Sequence, residues 1–305
     1  MITIKKYLSL VKFSHTIFAM PFALIGFFLG ISTLSFAVAQ GSGTAAYPII
    51  DWMKLFILVI LCMVFARSAA MAFNRYLDSN FDAKNPRTAI REIPAGIISK
   101  KSALGFVLIN CILFVLATFF INLICFYLSP VALFVILFYS YTKRFTALCH
   151  LVLGVGLSLA PIGAYLAVTG KFEWLPVLFS LTVLFWVSGF DIIYALQDVA
   201  FDTSENLHSI PAAVGKSKAL RISELLHFVS AACVALAGIY GHFGWLYWVG
   251  VVFFSAMLVY QHSIVKPDDL SKVNIAFMTA NGIASVIFAI FVLLDIFLYH
   301  GGAHL

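Results

Sequence analysis

Long apolar runs punctuate this 305-residue chain from end to end and restrict its fold more than any other feature. They lie at about residues 16–39, 52–73, 102–121, 123–140, 148–168, 174–193, 219–240, 244–262 and 273–298. A hydrocarbon layer roughly 30 Å thick is crossed by about 20 helical residues, so each run can span it. Lipid offers backbone groups no hydrogen-bond partners, so runs of this length and continuity predict helices rather than open strands. The chain is 63% hydrophobic and 10% charged, with a mean hydropathy of +1.03, which excludes a soluble domain. The third and fourth runs nearly touch, and a tight turn is expected near Asn122. No linker-like or low-complexity stretch divides residues 1–305, so one membrane domain is expected.

Charge placement predicts orientation. With the N-terminus in the cytoplasm, one side collects Lys5, Lys6 and Lys12, the cations from Arg75 to Lys101, Lys143 and Arg144, Lys216, Lys218 and Arg221, and Lys266 and Lys272. Of the 19 Lys and Arg residues, that leaves only Lys54 and Lys171 opposite, with Arg67 inside the second run. Cytoplasmic loops are enriched in Lys and Arg, so a multi-pass protein of the cell (inner) membrane is expected, with an N-in, C-out topology. The net charge of +6 reflects this bias; no nucleic-acid-binding pattern accompanies it. The five cysteines lie in or beside apolar runs without C-x-x-C spacing and read as small buried residues. The N-terminal stretch runs into a span too long for a signal-peptide core, and reads as an uncleaved amphipathic lead-in at the membrane surface.

Two acidic clusters then stand where a membrane protein tolerates charge least. N-R-Y-L-D-S-N-F-D puts Asn74, Asp78 and Asp82 four residues apart, and D-I-I-Y-A-L-Q-D-V-A-F-D carries Asp191, Asp198 and Asp202. On a regular helix the first set fans across about 80° and the second within about 40°. Stacked like charges repel, so each face needs a counter-cation. Hard divalent ions take oxygen ligands, and Mg²⁺ in particular bridges carboxylates to phosphates. Both clusters follow even-numbered spans and so fall on the cytoplasmic side, where a central cavity open to the cytoplasm is expected between them. Residues 52–101 and 174–218 share one order: a span, an acidic extension, and a polar loop ending at P-A-G or P-A-A-V-G. Duplication and repeated use of one device are both open, and the loops 83–101 and 203–218 would cover the pocket.

Carboxylates on two helices around Mg²⁺ can hold a diphosphate and make it a better leaving group. Lys84, Arg87, Arg91, Lys143 and Arg144 lie close enough in sequence to meet its oxygens, or else serve topology alone. Arg67 sits one heptad before Asn74, inside a span, where a charge is costly and either paired or functional. The 31 Phe residues suit a long apolar substrate and are equally ordinary in lipid.

The motifs together resemble the UbiA superfamily of intramembrane aromatic prenyltransferases along essentially the whole chain. The first matches N-x-x-x-D-x-x-x-D and the second D-x-x-Y-x-x-x-D-x-x-x-D, with Tyr194 in place. Between them Y-T-K-R-F-T, Tyr141 to Thr146, resembles the family's Y-P-x-x-K-R-x-T segment. The resemblance implies an all-α polytopic fold of about nine transmembrane helices. It implies that Asn74, Asp78, Asp82, Asp198 and Asp202 bind Mg²⁺ and diphosphate, while Asp191 lies deeper, nearer an aromatic acceptor. The implied reaction transfers a polyprenyl group from a polyprenyl diphosphate to an electron-rich ring carbon. Asp191 is the candidate base, and Arg67 and Tyr194 complete the candidate catalytic set.

The acceptor is read from finer features. Asn85 to Gly96 and Leu207 to Ala212 resemble a branch associated with 4-hydroxybenzoate, the aromatic acid favoured here. The first helix, Ser14 to Leu24, departs from the better-known enzymes of ubiquinone synthesis, which leaves a dihydroxynaphthoate of a menaquinone route open. His15 either approaches an acceptor carboxylate or packs at the interface. A secondary transporter or a structural subunit are the readings outside catalysis; a transporter would hold its acids near the bilayer midplane.

Overall fold

The computed structural model describes residues 2–11, 19–39 and 49–299. Its helices, in chain order, are α1 (Ile2–Leu10), α2 (Met20–Ala39), α3 (Ile49–Lys84), α4 (Lys100–Phe119), α5 (Leu123–Thr142), α6 (Cys149–Thr169), α7 (Trp174–Ala195), α8 (Val199–Ser204), α9 (Ile210–Val214), α10 (Lys216–Tyr240), α11 (Trp245–Ile264) and α12 (Asn281–Leu298). A 3₁₀ turn, Leu196–Asp198, joins α7 to α8, and a π-helical turn, Ile275–Ala280, leads into α12. Among the described residues there is no strand, only a lone bridge between Lys266 and Asp269. Eight helices are long and apolar enough to cross a membrane, and α2 contributes a shorter apolar stretch, Met20–Ser35. Each expected apolar run coincides with one of these helices. His15, Lys12 and the start of the first run lie outside the described residues.

The turn expected near Asn122 is present, and its side chain explains it. The Asn122 carboxamide oxygen accepts from Cys125 N at 2.8 Å, capping α5, while Nδ2 donates to Leu166 O and Ala167 O at the end of α6. One residue thus satisfies orphan groups of two helices at the end of the bundle away from the acidic motifs.

The largest buried cluster joins α2, α6, α7, α10, α11 and α12. Phe22 lies 5.4 Å from Trp186 and 5.7 Å from Phe288, between ring centroids, and Phe254 is 5.3 Å from Phe288. All four rings are fully buried. Small residues permit this approach: a Cβ on Gly26 would collide with the Pro161 carbonyl, as expected where helices pack through glycines in membranes. Two buried polar side chains in this half tie helices together. Asn281 Oδ1 accepts from Trp186 Nε1 and Gln261 Nε2, both at 2.8 Å, while its Nδ2 caps carbonyls of the π-turn. Asp295, fully buried on α12, accepts from Gly244 N at 2.8 Å and Tyr247 N at 3.2 Å at the start of α11.

The other half is looser. A cavity of about 370 Å³ lies among α3, α4, α5 and α6, and α5 is the least buried of the long apolar helices. The expected lead-in is α1, which packs inward: Leu10 is fully buried with Ala72 and Ile93, and Tyr7 stacks on Phe106 at 4.8 Å.

Candidate active site

Length explains how α3 presents the first motif. Its 36 residues rise about 54 Å against a hydrocarbon layer of roughly 30 Å, so its last turns extend well beyond a span. Asp78 and Asp82 sit there, only 2% and 5% exposed. Charges so enclosed need partners, and the chain supplies them. Lys143 Nζ is 2.7 Å and Arg144 Nη2 3.2 Å from the Asp78 carboxylate, and Asn74 Nδ2 donates to it at 3.3 Å. Arg144 also donates to Leu77 O and lies over the Tyr141 ring. Arg91 pairs with Asp82 Oδ1 at 2.7 Å, while Asp82 Oδ2 is buried with no hydrogen-bond partner among the described residues.

The second motif departs from the expected regular helix. The 3₁₀ turn at Leu196–Asp198 tightens the winding, so Asp198 and Asp202 are rotated away from the positions a regular helix would give them relative to Asp191. Asp198 instead meets the loop after α3: Arg87 holds it through both Nε (3.1 Å) and Nη2, Asn85 Nδ2 approaches at 3.4 Å, and Arg87 Nη1 donates to Tyr194 Oη at 3.0 Å. Burial works against the Arg87 charge, but Asp198 and Tyr194 outweigh it and raise its pKa above the ordinary arginine value. Tyr194 is itself held by stacking on Phe277, at 4.2 Å. Asp202 accepts from Ser209 Oγ at 3.0 Å, and Asp191 Oδ2 lies 2.7 Å from His150 Nδ1. Lys84 is more peripheral, pairing with Glu205 at 2.6 Å across the ends of α3 and α8.

Below these carboxylates lies the cavity. Its wall is mostly apolar, with Thr118 and Ser129 among its few polar residues, and at one end Arg67 and Tyr139 line it beside Ala70 and Met71, one helical turn from Asn74. Arg67 makes no ion pair with a motif carboxylate among the described residues, and its Nε is buried with no hydrogen-bond partner there. The paired alternative for Arg67 is therefore not what the fold builds. Tyr139 lies within electrostatic range of Arg67, Asp78 and Asp191.

The loop basics and both motifs thus converge, with Arg67 in the cavity wall and Asp191 on His150. Sequence reasoning missed His150, Tyr139, Asn85 and Ser209. Only Ser209 carries a local signal, as an N-cap directly before I-P: its Oγ accepts from Ala212 N. His150 and Tyr139 are single polar residues in apolar runs and Asn85 lies in the polar loop after α3, and the side-chain partners that matter to the site are remote in sequence.

The donor set suits a hard cation: only carboxylate and carboxamide oxygens, with one carboxylate oxygen of Asp82 orphaned. Among the described residues no three acids, His or Cys stand close enough to hold a metal as placed. Lys143, Arg144, Arg91 and Arg87 occupy the carboxylates instead. Binding a divalent ion would exchange these internal cations for it and free them to face an anion.

Comparison with known proteins gives this geometry its family. Residues 19–283 match the UbiA prenyltransferase family. A 4-hydroxybenzoate octaprenyltransferase of Nitrosomonas europaea is 30% identical over 261 residues, covering 86% of this chain and 89% of its own. One of Francisella tularensis subsp. mediasiatica is 28% identical over 246 residues, covering 81% and 85%. Among solved structures, an apo UbiA homologue from Aeropyrum pernix K1 superposes with a TM-score of 0.74 at 26% identity, over 93% of this chain and 97% of that one. A UbiA homologue from Archaeoglobus fulgidus, bound to GPP and Mg²⁺, gives 0.71 at 18% identity over 96% and 100%, a likeness of fold. The chain belongs to the UbiA prenyltransferase family and is an enzyme, a polytopic membrane prenyltransferase rather than a transporter or a structural subunit.

Proposed function

We propose that this enzyme transfers a polyprenyl group from a polyprenyl diphosphate to an aromatic acid, 4-hydroxybenzoate, in quinone biosynthesis. The observation that carries the reading is the half-buried Arg67 side chain, the one charged group on the wall of a mostly apolar cavity, its Nε buried and unpartnered among the described residues. A substrate anion is what such a group lacks, and a benzoate carboxylate supplies one while its ring fills apolar space. The names of the relatives from Nitrosomonas and Francisella favour the same acceptor.

Asn74, Asp78, Asp82, Asp198 and Asp202 would hold Mg²⁺, which when bound supplies positive charge to the diphosphate and makes it a better leaving group. Arg87, Arg91, Lys143 and Arg144, released from the carboxylates, hold the non-bridging oxygens, with Lys84 at the rim. Tyr194 acts through Arg87, which it anchors by its hydroxyl. The allylic C–O bond breaks with its electron pair leaving on the diphosphate. The ring carbon beside the phenol oxygen bonds the allylic carbon, and Asp191 accepts the displaced ring proton. The site faces the cytoplasm, with the N-terminus on the same side of the cell membrane, by the placement of Lys and Arg.

Membranes containing the protein, given Mg²⁺ and a polyprenyl diphosphate, test this with 4-hydroxybenzoate and 1,4-dihydroxy-6-naphthoate in parallel. Prenylated hydroxybenzoate is expected. Prenylated naphthoate alone would transfer the enzyme to a menaquinone route and overturn the acceptor assignment.

A further inference from the structure

We propose that His150 is a positioning residue that fixes Asp191 as a proton acceptor; this rests on the reading of Asp191 as the base. The two residues are 41 apart in sequence, at the start of α6 and near the end of α7, and their side chains meet at 2.7 Å, His150 Nδ1 to Asp191 Oδ2. Their environments differ sharply: the His150 side chain is 3% exposed and that of Asp191 24%. The imidazole is therefore enclosed, too buried to meet an acceptor itself, while the carboxylate it holds is partly open.

The second ring nitrogen decides what the first one does. The backbone N–H of Ile210 donates to His150 Nε2 at 3.4 Å. A nitrogen that accepts a hydrogen bond carries no proton, so the proton of a neutral ring sits on Nδ1 and is donated to Asp191. That donation engages Oδ2, orients the carboxylate plane, and leaves Oδ1 to take the ring proton. A second residue that holds a reactive carboxylate or imidazole in register is the arrangement by which enzymes fix tautomer and orientation.

The imidazole is held at both ring nitrogens, and the backbone around it is fixed as well. Ser188 Oγ donates to the His150 carbonyl at 3.1 Å. The segment supplying Ile210 N also sends Ser209 Oγ to Asp202, while His208 N donates to Lys143 O. Residues 208–210 thus tie Asp191, through His150, to Asp202 and to the backbone of Lys143. The geometry couples the proton acceptor to the diphosphate end through one short stretch of chain.

Steady-state kinetics on purified full-length variants test the inference. His150→Phe, which fills the space without a donor, should lower kcat by about tenfold to hundredfold with little change in KM for the prenyl diphosphate. His150→Asn, whose Nδ2 can stand near the position of Nδ1, should recover most of that loss. In an Asp191→Asn background, His150→Phe should cost nothing further. Equal defects in the Phe and Asn variants with unaltered thermal stability, or losses that multiply in the double variant, would overturn the role of His150. Full turnover by Asp191→Asn alone would instead overturn the assignment of the base.

Discussion

Arg87 shows at single-residue scale how this site handles charge. Its guanidinium spans Asp198 with two nitrogens and reaches Tyr194 with the third. A lysine presents one point charge and cannot reproduce that fork. Arg87→Lys is therefore expected to raise KM for the prenyl diphosphate about tenfold, and Arg87→Ala further, by measured initial rates. Arg67 makes a separate prediction, because it lies in the cavity rather than among the loop cations. Arg67→Ala should raise KM for the aromatic acid while leaving that for the diphosphate within about twofold, since uniform binding to one substrate alone is lost. The two variants distinguish the ends of the site. The motif carboxylates stand out in sequence by helical spacing and Arg67 by a charge inside a span, both local signals, whereas Arg87 stands out only as one of several loop cations. His150 and Tyr139 were illegible for the opposite reason: their meaning comes from partners on other helices.

Two elements bend away from regular geometry, and both matter to the site. The 3₁₀ turn at Leu196–Asp198 turns Asp198 toward Arg87. The π-turn at Ile275–Ala280 carries Phe277, on which Tyr194 stacks. Asn281 holds that turn by donating to Ala276 O and Phe277 O while accepting from Trp186 and Gln261. Asn281→Ala would strand two donors in a buried place, at about 1–3 kcal/mol each. A fall in detergent thermal stability is expected, together with reduced turnover as the Phe277–Tyr194 contact loosens. Stability and turnover both at wild-type levels would contradict this linkage. Neither bend was legible: L-Q-D and I-A-F-M-T-A contain no proline or glycine, so nothing local marks the change of winding. The turn at Asn122 was legible because two apolar runs met at a capping residue.

The whole molecule divides its labour between a packed half and a hollow one. Aromatic rings of α2, α7, α11 and α12 interlock, while α3 to α6 enclose the cavity. This gives Asp191 on α7 a rigid support and leaves space beside α3 for a long apolar chain. Gly163 lines that space, and a Cβ built there meets nothing within 4 Å. Gly163→Phe should consequently fold, retain transfer from a short prenyl diphosphate, and lose most transfer from a long one. Equal rates with both lengths would place the chain elsewhere. The spans and their order were open to sequence because lipid forces backbone pairing into each helix; the cavity was not, since it depends on how loosely helices meet.

The central claim is that two carboxylate-bearing helix ends and a divalent cation drive prenyl transfer. Mass spectrometry of prenylated acceptor tests it, in membranes holding wild-type protein or Asp78→Ala, with Mg²⁺ or with a chelator. Prenylated product from wild type with Mg²⁺, and its loss on chelation or in Asp78→Ala, is the predicted result. Product formed at the wild-type rate by Asp78→Ala, or undiminished by chelation, would contradict it.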